Sequence, residues 1–481
     1  MNSNLLLIVI VLYFALLLIL SRLTSRRMSN DAFFRGERKS PWYLVAFGMI
    51  GASISGITFI SVPGMAIAQD MTYLQTCMGF ILGYAIVAFV LLPLYYKHNL
   101  TTIYSYLDDR LGRRSYLTGA SFFLLSKMSG AAVRFYIVCM LVQHFALDQY
   151  GIPFCITVPL MVLLIWFYTR RSGIMTIVWT DTLQTAVMFI ALVLIIMAVI
   201  SHLGMSATEA VQAIAANEHS RIFVFDDWAS SQNFWKQFLS GIFIVIVMTG
   251  LDQDMMQKNL TCRSLKDAQK NLCSYGVAFL PANLLFLSLG VLLILLVQQQ
   301  GLSLPEKGDE LLPMFAATGQ LGMAAMALFA VGIVASAFSS ADSALTALTT
   351  SVCVDIFRRP DDVRFRRKAH VAVVIIFILA VIIFDSVGSK SVINAIYIMC
   401  GYTYGPLLGL FAFGIITRRR VRDRLVPYVC LAAPFLCFAI DTAAQHYYDY
   451  HFGYELLMLN GMLTFAGLMA LTKNKRLCCT S

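Results

Sequence analysis

Apolar and polar positions alternate along this chain on the scale of a membrane. Apolar runs of roughly 20 residues, the length that crosses a bilayer's hydrocarbon core as a helix, recur from Leu5 to Leu471 between short polar stretches. About 13 such runs are read. The first, at 5–20, is span 0, and spans 1 to 12 centre near 42–68, 73–96, 116–143, 152–169, 174–203, 234–257, 271–298, 320–356, 369–385, 391–417, 425–443 and 454–472. The short alternating segments of a membrane β-barrel do not occur. The pattern predicts an all-α polytopic membrane protein, in which one helical bundle uses the whole chain.

Composition agrees, and charge adds topology. The chain has 481 residues, 59% hydrophobic and 13% charged, with mean hydropathy +0.75. A net charge of +10 would suit nucleic acid, but 30 of the 36 Lys and Arg fall in alternate loops and the tail. By the positive-inside rule those loops are cytoplasmic. The expected partner is therefore the lipid bilayer of the plasma (inner) membrane and not nucleic acid, with the N-terminus outside and the C-terminus inside. The run at 5–20 lacks a basic n-region and a small-residue cleavage site, so it reads as a retained helix. The eleven Cys are scattered without metal or redox spacing, and read as packing residues; lipidation of Cys478 and Cys479 is not expected. In the outer loop 204–233, Ser206 or Thr208 precedes an Ala-rich run and predicts a capped surface helix.

Two spans carry the residues of broken helices. "GMIGASISGITFISVPGMA" in span 1 sets Gly48, Gly51, Gly56, Pro63 and Gly64 among hydroxyls. Span 6 ends "VMTGLDQDMMQKN", with Gly250, Asp252, Gln253 and Asp254 near the lipid boundary. Broken backbone at membrane depth is tolerated where it lines a cavity, and there its carbonyls suit a cation. Close packing through small residues would use the same glycines.

Span 8 holds the densest polar stretch, "ASAFSSADSALTALTTS". Ser336, Ser339, Ser340 and Ser343 share one helix face, which Thr346 and Thr350 extend. From spacing alone, such a stripe either hydrogen-bonds neighbouring helices or offers oxygen ligands to a hard cation such as Na+. Asp181 in span 5 and Asp342 in span 8 are costly in lipid unless paired or functional. Lys127 and Arg134 of span 3 are the bases expected at comparable depth. No His/Asp/Ser or metal constellation forms, so an enzyme is not expected. A solute sensor would need an output segment. A passive channel is disfavoured by the broken helices.

Several segments together resemble the sodium:solute symporter family: "DAFFRGERKSPWYLVAFGMIGASISGITFISVPGMA", "GIMTIVWTDTLQ", "DQDMMQKNL", "ASAFSSADSALTALTTSVCVDIF" and "YTYGPLLGLFAFGI", in that order between about residues 30 and 420. The resemblance implies a leucine-transporter-like fold: a 5+5 inverted-repeat core, with spans 1 and 6 broken at the substrate site. Residues 1–30 would be an extra helix and the start of the first inside loop. Residues 31–420 would be the core, with repeats at about 42–203 and 234–417, and 421–481 two further helices and a tail.

The implied activity is sodium-coupled import of a small polar organic solute, with a sugar, polyol or sialic acid as first expectation and function as a monomer. An amino acid, vitamin or organic anion, proton coupling, and a membrane solute sensor are the alternatives. The family's main sodium site falls on Gly51, Ile54, Ser336, Ser339 and Ser340. A second sodium site, present in some members, falls on Asp181, Ser339, Asp342 and Ser343. Asp342 departs from the Ser or Thr of the sugar and sialic acid members, which leaves a bound proton as an alternative there. Implied substrate contacts are Ser53, Ser55, Thr58, Tyr73, Gln75, Arg134, Gln253 and Tyr404. The span 3 arginine of sialic acid members aligns with Gly130, and Arg134 follows one turn later on the same face.

Overall fold

The computed structural model describes residues 3–24, 29–170, 173–228, 230–316, 320–387, 392–448, 450, 452–453 and 455–476. Arg171, Cys478 and Cys479 lie outside them. Among the described residues, seven helices are long and apolar enough to cross a membrane, and up to nine spans result if each of two bent pairs counts as one. The seven are Tyr73–Lys97, Arg113–Val142, Ile174–Leu203, Leu265–Gln299, Met323–Ile356, Val363–Asp385 and Asp423–Tyr448, which answer to spans 2, 3, 5, 7, 8, 9 and 11. The runs read as spans 0, 4, 10 and 12 contain shorter apolar helices, Ile10–Thr24, Phe154–Thr169, Gly401–Ile416 and Leu456–Ala470.

The bent pairs are spans 1 and 6. Span 1 divides into Trp42–Ser53 and Gly56–Gln69, and its axis turns by 60°. The break falls on Ile54 and Ser55, whose ψ values of 86° and 168° are not helical. Pro63 lies inside the second half and does not set the break. Gly56 is needed just after it, since a Cβ there would meet Val138 of span 3 at 2.9 Å and the Ile333 carbonyl of span 8 at 3.3 Å. In span 6, Phe234–Gly250 and Gln253–Asn259 meet at 72°. Asp252 caps the second half, accepting from the Asp254 N–H at 2.8 Å. A side-chain acceptor supplies what the broken ladder withholds from the first N–H groups of that half.

Spans 5 and 8 pack along each other and against span 1, with Asp181 of span 5 set against Gly48 ahead of the break. Outside the bundle, Ser206 caps helix Ala207–Ala216 in a capping box with Glu209, as the Ala-rich run predicted. The Ser206 N–H holds the Glu209 carboxyl below the usual carboxylate range.

Candidate functional site: a cavity and a hydroxyl–carbonyl cluster at the broken spans

The break in span 1 frees backbone oxygens toward span 8. The Ser55 N–H turns back to the Ser53 carbonyl at 3.1 Å. The Ser340 hydroxyl donates to the Ala52 carbonyl at 3.2 Å and to the Ser336 carbonyl at 3.3 Å. The Ser336 hydroxyl donates to the Ile54 carbonyl. Gly51 lies one turn before the break and packs its α-carbon onto Thr185 of span 5. Ser336 and Ser339 are buried. The result is a tight group of neutral oxygens, the donor chemistry that a hard monovalent cation prefers.

The hydroxyl stripe divides beyond that group. Ser339 turns to span 5, donating to Asp181 Oδ1 at 2.6 Å. Asp342 accepts from the Tyr168 hydroxyl at 2.8 Å and from Ser343 at 3.2 Å. Thr350 accepts from the Gln257 amide at 3.0 Å.

One residue corrects the expectation about bases. Lys258 is not a loop cation but closes the short half of span 6 at 1% exposure. Its Nζ lies 2.7 Å from Asp181 Oδ2. Asp181 therefore pairs with span 6 and not with a base of span 3. Hydropathy gave no signal for this: the 72° bend that turns the short half of span 6 inward, and its terminal lysine with it, appears only in the structure. Arg366, counted with the cytoplasmic loops, is likewise 1% exposed, with its guanidinium 4.3 Å over the Phe33 ring.

A cavity of about 190 Å³ lies beside the two breaks. Ser53, Ser55, Thr58, Tyr73, Arg134 and Tyr404 line it. Gln75 and Gln253 are not brought to it. The Gln75 side chain ties span 2 to the outer loop, donating to the Gln232 carbonyl at 2.9 Å and accepting from the Val224 N–H at 3.1 Å. Gln253 is spent likewise on the inner side, accepting from the Ile103 N–H at 2.9 Å and donating to the Thr101 carbonyl at 3.2 Å. Both are fully buried amides satisfied by backbone, so their place is fixed by hydrogen-bond demand.

The cavity wall also holds an ion cluster that was not expected. Lys127 Nζ lies 2.7 Å from Asp254 and 3.2 Å from Asp252. The Tyr404 hydroxyl donates to Asp252 at 2.6 Å. The cluster joins span 3, the break of span 6 and span 10.

Residues 33–423 match the sodium:solute symporter family. This chain belongs to that family. It is 25% identical to the sodium/sialic acid symporter SiaT of Proteus mirabilis over 426 residues, covering 84% of this chain and 83% of that protein. It is 23% identical to the sodium/sialic acid symporter NanT of Aliivibrio fischeri over 457 residues, covering 91% and 88%. Its fold is that of a Na+-coupled sialic acid symporter solved in a substrate-bound outward-open state, with TM-score 0.83, 22% identity, and 98% of this chain and 99% of that chain covered. The chain is thus an integral membrane transporter and not an enzyme, and it couples sodium to the symport of a small solute.

Proposed function

We propose that this symporter imports a small polar organic solute of the sugar, polyol or sialic acid class, driven by inward sodium across a plasma membrane. The observation that carries this reading is the shared break in span 1. Ser53 and Ser55 face the cavity, while Ala52 and Ile54 turn their carbonyls to the span 8 hydroxyls. A cation and a solute bound on two sides of one broken backbone each favour the same arrangement of it, which is how binding at one site strengthens binding at the other. Inward movement of one Na+ at 100 mV supplies about 2.3 kcal/mol.

In this reading the main sodium site is Gly51, Ile54, Ser336, Ser339 and Ser340. Asp181, Asp342 and Ser343 are the second cation position, where the Lys258 ammonium already meets Asp181 at 2.7 Å. The solute meets Ser53, Ser55, Thr58, Tyr73, Arg134 and Tyr404. The core is two inverted five-helix repeats within about 13 spans, with the N-terminus outside, the C-terminus cytoplasmic and the monomer as the working unit. Identity near 25% to sialic acid symporters supports a sialic acid, and the hydroxyl-lined cavity suits a polyol equally.

Proteoliposome uptake of a labelled solute, with and without an inward sodium gradient, tests the reading. Uptake that ignores the gradient would sink it. Ser340→Ala removes one hydroxyl from the carbonyl cluster, a loss of about 1 kcal/mol. Its half-saturating sodium concentration is expected to rise about fivefold with solute affinity at saturating sodium little changed, and an unmoved sodium curve removes Ser340 from the site.

A further inference from the structure

Charge is not balanced on the wall of the cavity. Asp252 and Asp254 share the Lys127 ammonium. The other ammonium near Asp254, that of Lys258, is paired with Asp181 at 2.7 Å, so three carboxylates share two ammonium groups and one negative charge is left over away from bulk water. Asp252 is saturated: its Oδ1 accepts from backbone N–H groups of span 6, and its oxygens accept from Lys127 and Tyr404. Asp254 is not. Its Oδ2 meets Lys127 at 2.7 Å, but its Oδ1 has no hydrogen-bond partner although the residue is 4% exposed and lines the cavity. A buried carboxylate oxygen left without a donor is costly.

Lys127 cannot serve as an acid-binding group, because its ammonium is committed to two carboxylates. Arg134, two turns further along span 3 and also on the cavity wall, has no ion-pair partner among the described residues. The cavity therefore offers an anionic point at the break of span 6 and a cationic point toward the other end of span 3.

Resting on the symport reading above, we propose that the substrate carries a free amino group and that Asp254 receives it as the ammonium. One charge-assisted hydrogen bond then satisfies the orphan oxygen and neutralises the excess charge in one step. An acidic group on the same solute, where present, faces Arg134. Asp254 is a specificity-determining residue in this scheme, and Lys127 and Tyr404 position the segment that carries it.

Pairs of probes that differ at the amino group test this on the purified full-length protein. Suitable pairs are glucosamine and glucose, glucamine and sorbitol, and the methyl glycosides of neuraminic and N-acetylneuraminic acid. Binding is read by thermal shift and calorimetry, with and without Na+. The amino member of at least one pair is expected to bind about tenfold tighter or more than its partner. The preference is expected to vanish in Asp254→Asn and to survive in Asp254→Glu, with stabilisation by Na+ alone confirming that both variants are folded. Equal or better binding of the neutral or N-acetyl members, failure of every amino member to bind, or a preference that persists in Asp254→Asn overturns the proposal. The sodium arm separates the two readings. An amino preference without sodium dependence refutes coupling and leaves Asp254 in place. Sodium-dependent binding confined to neutral or N-acetyl solutes does the reverse.

Discussion

Lys258→Met is expected to abolish transport and to cost about 3–5 kcal/mol of stability, the range for breaking a buried ion pair from one side. Lys258 and Asp181 are each 1% exposed and lie 2.7 Å apart. With the ammonium gone, Asp181 keeps only the Ser339 hydroxyl at 2.6 Å, and Asp342 of span 8 adds a second buried carboxylate. The double variant Lys258→Met, Asp181→Asn removes the charge with its partner and is expected to regain most of the lost stability. A second consequence separates this from a generic packing defect. An uncompensated carboxylate beside the hydroxyl–carbonyl cluster favours any cation that reaches it, so the single variant's thermal stability should rise more steeply with sodium than the parent's. Potassium or choline should not replace sodium if the oxygen cluster does the selecting. A single variant as stable as the parent, or a double variant no better than the single, would remove Lys258 from the role assigned to it.

That lysine also marks where the sequence was legible and where it was not. Runs of about 20 apolar residues locate helices well, because burial in lipid leaves no other way to satisfy the backbone; Ile174–Leu203 falls where hydropathy put it. The breaks were legible for a related reason. Clustered Gly and polar residues inside an apolar run have few structural explanations, and Ile54–Ser55 and Leu251–Asp252 fall inside the segments singled out. Side-chain partners across the bundle were not legible. Ser339 and Ser340 are adjacent on one stripe, yet one bonds span 5 and the other span 1, a division set by helix crossing and not by spacing. Lys258 looked like the first base of a cytoplasmic loop because hydropathy cannot see a 72° turn. Gln75 and Gln253 looked like solute ligands because residue type alone does not reveal that backbone groups of neighbouring loops already claim their amides. The competing explanation for the span 1 glycines also has a share of the truth: Gly51 packs onto Thr185 while its neighbours turn their carbonyls to span 8.

Close helix packing through glycine also joins spans 2 and 6, backbone against backbone, and a large steric effect is expected there. Gly79 and Gly83 form a small-xxx-small pair on span 2. A Cβ on Gly79 would fall on the Phe238 carbonyl, one on Gly83 would meet the Ile242 carbonyl at 2.8 Å, and one on Gly241 would fall on the Thr76 carbonyl. These neighbours are backbone, so no rotamer change relieves them, and overpacking of this kind costs 1–3 kcal/mol or more. The same two helices bring Thr76 and Phe80 from one side and Ile244, Val245 and Met248 from the other to the cavity wall. Gly241→Leu is therefore expected to lower the yield of folded protein and the melting temperature, and to weaken solute binding, because separating the backbones parts the wall. Gly130→Ala is the matched control. It also lines the cavity, but a Cβ there meets nothing within 4 Å. It should fold and melt like the parent, or slightly better, since alanine favours the helix by roughly 1 kcal/mol over glycine. Any change in its solute affinity then reports on space in the cavity and not on the bundle. Equal melting of Gly241→Leu and Gly130→Ala would refute the claim that backbone contact holds spans 2 and 6 together.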